Sequence, residues 1–233
     1  FRHWTKGEDK SPVSEADIAV NDLLQAKLTK LVPGAGWLSE ETEDVSGARS
    51  GSQVWIVDPI DGTRAFIAGR PDWTISIALV EDGRPTLAAL YAPVTEEMFL
   101  AAQGGGATLN GDPIMVSAGD GLTGARVAGP KRYLDRLERL TPALLPQPKV
   151  HSLALRLTRV GSGDLDAALS SGGSHDWDLA AAHLLVHEAG GLLTDFAGHA
   201  LTCNRTKTVH GAPIAGGPAR HGLILVLVRD RMP

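Results

Sequence analysis

The residues of this sequence best suited to chemistry stand in Trp55-Ile-Val-Asp-Pro-Ile-Asp-Gly-Thr63. Asp58 and Asp61 are separated by Pro59 and Ile60, and Thr63 adds a hydroxyl just beyond Gly62. The chemistry this suggests is coordination of a hard divalent cation such as Mg²⁺, which takes a few anionic oxygens on backbone that cannot wander. The same residues also suit an Asp-Pro/Asp-Gly turn whose carboxylates bond their own backbone. The motif alone leaves both readings open.

Other acids offer themselves in the same two ways. Asp17 follows Ser14 at the spacing of a helix N-cap and its first turn, where a carboxylate caps the helix and suits its dipole. Glu40 lies in the acidic run Ser39-Glu-Glu-Thr-Glu-Asp44, which reads either as a solvated face or as a cation-facing edge. Asp178 opens the Ala/Leu-rich helix that Gly190-Gly191 closes, again as a cap or as a ligand on a rigid element.

Stepping from these residues to their supports, Val54–Val57 has the length and β-branching of a buried strand, which Pro59 is expected to end. Ser14 starts a helix that Pro33-Gly34 stops. From Thr74 the pattern turns to short strands at Thr74–Val80, Leu87–Tyr91, Met98–Ala101, Ala107–Leu109 and Ile114–Val116. Glu81-Asp-Gly83 and Asn110-Gly111 supply hairpin turns. Gly104-Gly-Gly106 precedes no helix, so it reads as a turn and not a phosphate loop. The Gly, Ala and Ser content of Ser117–Gly129 marks a join between sub-domains of about 1–120 and 121–233 within a single catalytic unit, 1–233. Arg132–Leu140 reads as a helix, His151–Val160 resists assignment, and Leu193–Asp195 and Ile224–Val228 read as closing strands. Phe1–Lys10 is polar.

The totals exclude several classes. The 233 residues are 43% hydrophobic and 21% charged, with a formal charge of −5, which speaks against binding of nucleic-acid polymers or membrane surfaces. No apolar run is long enough to span a membrane and no secretion signal stands at the start. The single cysteine, Cys203, permits no intramolecular disulfide and reads as a small buried residue in a reducing compartment, so a cytoplasmic protein is expected.

Taken together, Trp55-Ile-Val-Asp-Pro-Ile-Asp-Gly-Thr63 and Trp177-Asp178-Leu-Ala-Ala-Ala…Glu188-Ala-Gly-Gly191 resemble the two signatures of the inositol monophosphatase superfamily. Asp17, in Pro-Val-Ser-Glu-Ala-Asp, and Ser39-Glu40-Glu41 resemble its two upstream acidic motifs, in the family's order. The resemblance covers nearly the whole chain. It implies a mixed α/β (α+β) protein, a layered αβαβα sandwich, acting as a Mg²⁺-dependent phosphomonoesterase on a small-molecule phosphate, sensitive to Li⁺, with a homodimer as the expected assembly. It implies two to three Mg²⁺ ions: Glu40, Asp58 and the Ile60 carbonyl for the first, Asp58, Asp61 and Asp178 for the second, and Glu40 shared with a looser third. Asp17 and Thr63, with Glu40, would serve catalysis by orienting and deprotonating water. Asp61, Gly62, Thr63 and Asp178 would meet the substrate. Without metal these acids repel one another, so Glu40–Gly47 is expected to be loosely ordered in the empty site. Asp-x-Asp phosphatases, which attack through aspartate, resemble the motif less, because two residues separate Asp58 from Asp61.

Within the superfamily, Gly62-Thr-Arg-Ala-Phe-Ile67 and the absence of a Glu just before Trp177 resemble the 3'(2'),5'-bisphosphate nucleotidase branch. Arg64, or Lys131, Arg132 and Arg156, would then meet a second phosphate, and Ser152 would line the pocket. Inositol 1-phosphate, a sugar phosphate or histidinol phosphate are the alternative substrates. Two departures from the family pattern stand out: Ala68 replaces a residue that is usually polar, and the chain begins about where the family's first helix should end. Outside enzymes, the same residues suit a cation-binding protein that has lost catalysis, or a structural domain whose acids are only caps and turns.

Overall fold

The computed structural model describes residues 2–6, 11–44, 47, 49 and 51–229. An antiparallel pair, β1 (His3–Lys6) and β2 (Ser11–Ser14), precedes α1 (Glu15–Leu31). The expected helix start is a capping box: Ser14 Oγ accepts the Ala16 N–H at 3.2 Å, and Asp17 Oδ2 accepts the Ser14 N–H at 2.8 Å. The hairpin strands were not foreseen in the polar N-terminal stretch. Residues 1 and 7–10 of that stretch, and residues 45 and 46 of the segment expected to loosen without metal, lie outside the described residues.

Next, β3 (Gly36–Ser39) pairs in parallel with β4 (Gln53–Asp61), and the short helix α2 (Thr63–Ile67) turns the chain. The meander β5 (Thr74–Glu81), β6 (Arg84–Ala92), β7 (Glu97–Ala102), β8 (Gly106–Leu109) and β9 (Asp112–Ile114) completes a seven-stranded sheet in chain order. Both hairpin signals are turns of the kind expected. Asp82 and Gly83 have φ of +48° and +79°, and Asn110 and Gly111 of +51° and +92°, the left-handed pair that a two-residue hairpin requires.

The second half is built from β10 (Arg126–Ala128), α3 (Lys131–Leu140), β11 (Leu145–Pro146), α4 (Leu153–Gly161), β12 (Ala167–Leu169), β13 (Ser174–His175), α5 (Asp176–Glu188), β14 (Leu192–Asp195), β15 (Val209–His210), β16 (Pro213–Gly216) and α6 (Pro218–Arg229). Five of these strands form a sheet ordered β11-β10-β12-β16-β14, and β13 pairs with β15. β10 falls inside the Gly-rich stretch read as a join.

The layers follow from which faces are apolar. α1 covers one face of the large sheet, with Leu28 against Trp37, Trp55, Val57 and Leu79. The other face, through Leu38, Ile56, Leu90 and Phe99, packs on Leu157 and Val160 of α4 and Leu179 and Leu185 of α5. These helices meet Ala168 and Ala215 of the second sheet on their far side. Tyr133, Leu134 and Leu137 of α3 and Ile224 and Val228 of α6 cover that sheet's outer face against Val127, Leu169 and Ile214. This is the αβαβα order the resemblance implied.

Two readings of local structure are corrected and one unassigned segment is resolved. Ile224–Val228 is helix, not strand: His221, Ile224 and Val228 are buried while Leu223 and Val226 are 43% and 67% exposed, a helical spacing inside an apolar run too uniform to show alternation. β4 does not end at Asp58 but continues through Pro59 to Asp61 across a shift in register. His151–Val160 resolves into Ser152 as N-cap of α4, with its Oγ accepting the Leu155 N–H at 2.9 Å.

Candidate active site

The register shift in β4 decides where the first two acids point. Asp58 pairs with Ser76 and Asp61 with Thr74, so three steps along β4 oppose two along β5. In a regular strand, residues three apart face opposite sides, and the extra residue of a bulge re-aims them. Pro59, which has no N–H to give the ladder, sits within that irregularity. Asp58 Oδ1 accepts the Ile60 N–H at 3.0 Å, which stiffens the bulge.

Asp178 arrives from the first turn of α5, where its Oδ2 accepts the His175 N–H at 2.6 Å. The capping role and convergence on the other acids coexist. Asp58, Asp61 and Asp178 each bring a carboxylate oxygen within 4.8 Å of the others, a grouping that fits a metal ion. Asp61 is braced from behind: its Oδ2 accepts the Ser152 hydroxyl at 2.6 Å and the Ala154 N–H at 2.7 Å, both from the start of α4.

Glu40 completes the acidic floor from the turn after β3, its N–H donating to the Val57 carbonyl at 3.3 Å. Lys6 of β1 reaches in between Glu40 and Glu41, with Nζ 3.3 Å from Glu40 Oε1 and 2.5 Å from Glu41 Oε1. Burial pushes Asp58 and Asp178 well above the ordinary carboxylate range, and repulsion from neighbouring acids pushes the same way. Burial also raises Glu40, to about 7, against the pull of Lys6. Asp61 is raised by burial too, opposed by the Ser152 hydroxyl and the α4 amides. Crowded, desolvated acids with one ammonium at their edge are a donor set that fits a hard divalent cation, whose charge would replace the missing water.

Beside this floor Thr63 Oγ1 lies 3.2 Å from Asp17 Oδ1 and 3.0 Å from the Ile60 carbonyl oxygen. Asp17 Oδ2 is held by the Ser14 N–H and hydroxyl, which fixes the carboxylate facing Thr63. Gly62, with φ of +94°, packs so closely on α4 that a Cβ there would come 3.1 Å from the Ser152 nitrogen. The Asp61–Thr63 turn and the α4 N-terminus are therefore one rigid piece.

These residues open into a cleft of about 1040 Å³. Glu40, Asp58, Asp61, Gly62, Thr63 and Asp178 form its floor, and Arg64, Lys131, Lys149, His151 and Arg156 stand in its walls together with the acids Asp135 and Glu138. Ile60 turns its carbonyl to Thr63 behind the floor. Ser152, expected to line the pocket, is instead fully buried behind Asp61. Its proton goes to Asp61, and Thr74 Oγ1 and the Leu155 N–H occupy its oxygen, so nothing remains for substrate. Arg132 stacks over Tyr133, 4.6 Å from the ring centroid, and is not among the cleft residues. Lys131 reaches the cleft but is paired with Asp135 at 2.6 Å. Arg156 spends Nη1 on the Leu169 carbonyl, while its buried Nε has no partner among the described residues.

From sequence, Lys6 and His151 were not singled out for the site, and Glu41 only as part of Ser39-Glu40-Glu41. Nothing local marked Lys6; for His151 the available signal was proximity to Ser152, an N-cap residue type ahead of Leu153-Ala-Leu155.

The profile of the inositol monophosphatase family matches residues 2–232. The chain is 36% identical over 195 residues to an inositol-1-monophosphatase of Rhizobium meliloti, covering 80% of this chain and 73% of that one. It is 35% identical over 235 residues to the Nus factor SuhB of Pseudomonas aeruginosa, covering 96% and 85%. The crystal structure of the extragenic suppressor protein suhB of Bartonella henselae superimposes with a TM-score of 0.85 at 29% identity, over 99% of this chain and 89% of that one. With its acids gathered on one floor and a family match running almost end to end, the chain belongs to the inositol monophosphatase family and is a phosphoric monoester hydrolase.

Proposed function

We propose that this phosphatase hydrolyses a small phosphomonoester by attack of water, and that its preferred substrate is a 3'(2'),5'-bisphosphate nucleotide such as adenosine 3',5'-bisphosphate. The observation that carries the reading is a cleft whose acidic floor is faced by Arg64, Lys149, His151 and Arg156, with Lys131 paired to Asp135 and Glu138 the other acid beyond the floor. The floor suits cations and the transferred phosphate, while Arg64, Lys149 and Arg156 suit a further negative charge on the substrate. Inositol 1-phosphate is the second reading, favoured by the name of the Rhizobium relative.

In this reading Asp58, Asp61 and Asp178, with Glu40 and the Ile60 carbonyl, would hold two to three Mg²⁺ ions, which neutralise the phosphate and the departing oxygen. Thr63 and Asp17 act on the water: the Thr63 hydroxyl orients it, and Asp17 Oδ1, at 3.2 Å from that hydroxyl, takes its proton. The Gly62 and Thr63 amides, which have no intrahelical acceptor at the start of α2, would hold phosphate oxygens. Asp58 is not the nucleophile, in keeping with its tie to the Ile60 N–H.

Among the described residues, no helix is long and apolar enough to cross a membrane. A cytoplasmic location belongs to the proposal, supported by the single, buried Cys203. A homodimer belongs to it on the family resemblance alone. Phosphate release from adenosine 3',5'-bisphosphate, inositol 1-phosphate and fructose 1,6-bisphosphate, each with and without Mg²⁺, tests the function. The first should be the best substrate, and none should turn over without metal. A higher kcat/KM for inositol 1-phosphate would move the assignment to the second reading.

A further inference from the structure

The wall of the cleft holds a buttressed imidazole that the reaction as described does not use. His151, the residue before the α4 N-cap, lines the cleft. Asp72 stands behind it and grips it twice through Oδ2, accepting the backbone N–H at 2.7 Å and the ring Nδ1–H at 2.6 Å. Arg70 holds the other oxygen of Asp72, with Nε 3.2 Å from Oδ1. The Asp72 carbonyl in turn accepts the Ser152 N–H at 3.1 Å, which ties the pair to the turn carrying Asp61 and Gly62. With Nδ1 committed, Nε2 is the ring atom left for a ligand, and among the described residues it has no partner. A carboxylate on one imidazole nitrogen fixes the tautomer and ring plane and makes the other nitrogen a better base.

The neighbourhood of the ring says what it would meet. Lys149 lies two residues before His151 and Arg156 five residues beyond, both lining the same cleft. The acids of the floor are assigned to the cations and the transferred phosphate, so Nε2 of His151 is left for another group of the substrate. We infer that the Asp72–His151 pair forms a recognition site for a second anionic group of the substrate, a phosphate or carboxylate outside the one that is hydrolysed. Nε2 meets an oxygen of that group through a shared proton, while Asp72 holds the ring by Nδ1. His151 is the contact and Asp72 the positioning residue. The inference rests on the reading of the cleft as a phosphatase site and adds to it the residue that selects doubly anionic substrates.

Adenosine 3',5'-bisphosphate and adenosine 3'-monophosphate share base, ribose and leaving oxygen and differ only in the second phosphate. Their kcat/KM ratio is therefore the readout. His151→Ala should lower the ratio about ten-fold, chiefly through KM for the bisphosphate, as loss of one charge-assisted hydrogen bond predicts. Asp72→Asn should move it in the same direction by less, and His151→Gln, which keeps an N–H donor, should recover part of it. A ratio unchanged in His151→Ala overturns the inference, whatever happens to absolute activity. If His151→Ala fails to fold, the same ratio in Asp72→Asn and His151→Gln decides. A wild-type protein that hydrolyses inositol 1-phosphate but shows no preference for the bisphosphate sinks this inference and leaves the phosphatase reading standing. A wild-type protein inactive on all three compounds with Mg²⁺ present sinks both.

Discussion

Ser152 and Asp61, 91 residues apart in sequence, are joined by a 2.6 Å hydrogen bond from the serine hydroxyl to Oδ2. One side chain thus caps α4 and aims an acid of the site, and the two jobs are inseparable. Ser152→Ala removes the cap and leaves Asp61 short of a donor in a buried place. We expect a loss of about 1–3 kcal/mol in stability and an affinity for Mg²⁺ weaker by roughly ten-fold or more. Urea denaturation and a Mg²⁺ titration of the same variant check both, and a variant that loses stability but keeps full Mg²⁺ affinity would show that the bond serves the helix alone.

Thr63 is assigned to the water and not to the cation. Thr63→Ala should therefore lower kcat by about 10²–10⁴-fold while the Mg²⁺ concentration giving half-maximal activity changes little. If metal affinity falls in step with kcat, Thr63 belongs to the cation site. If turnover persists near the wild-type rate, the pairing with Asp17 has no part in the reaction.

The acids also set a pH dependence of stability. A carboxyl raised in the folded state holds its proton more tightly there than in the unfolded chain, so its contribution is fully present below the unfolded value. That contribution is lost as pH rises through the folded one. For Glu40 the window runs from its ordinary value, 4.5, to about 7, and Asp58 and Asp178 shift in the same direction. The metal-free protein should lose thermal stability across this range on account of the site, and added Mg²⁺ should restore it. The rise in Tm on adding Mg²⁺ should accordingly be larger at pH 8 than at pH 5.5. Thermal melts at both values check this, and an equal rise at the two would contradict it.

Gly62 must accept both a left-handed φ and close contact with α4. Gly62→Ala brings a Cβ to 3.1 Å from the Ser152 nitrogen and 3.3 Å from the Asp72 carbonyl oxygen, backbone atoms that cannot swing away. A loss of about 1–3 kcal/mol is expected, together with lower kcat, because the same shift displaces Thr63. A variant as stable and active as wild type would mean that the turn and α4 are less rigidly joined.

Much of the site was legible because acids on capping and strand-end positions leave marks in local sequence. Asp17 after Ser14 and Asp178 after His175 read as first-turn carboxylates from spacing alone, and both are. What spacing could not show is that the caps also converge. Convergence depends on a bulge at Pro59-Ile60 and on two sheets clasping α4 and α5, which are long-range properties. Ser152 illustrates the difference: it was expected to line the pocket, whereas packing turned it inward to Asp61. α6 was misread for a related reason. An unbroken run such as Leu223-Ile-Leu-Val-Leu-Val228 carries no period, and only the surface it packs on selects helix over strand. Lys6 lay beyond reach because nothing local ties β1 to the turn bearing Glu40.

The central claim is that Glu40, Asp58, Asp61 and Asp178 hold divalent cations in common. A crystal grown with Mn²⁺ in place of Mg²⁺ tests it most directly through anomalous scattering. Anomalous peaks should appear between the carboxylates of Asp58, Asp61 and Asp178, with at least one at bonding distance from Glu40, and Asp58→Asn should weaken or remove them. Density showing these carboxylates closed on one another or on Lys6, with no anomalous signal at saturating Mn²⁺, would contradict the account.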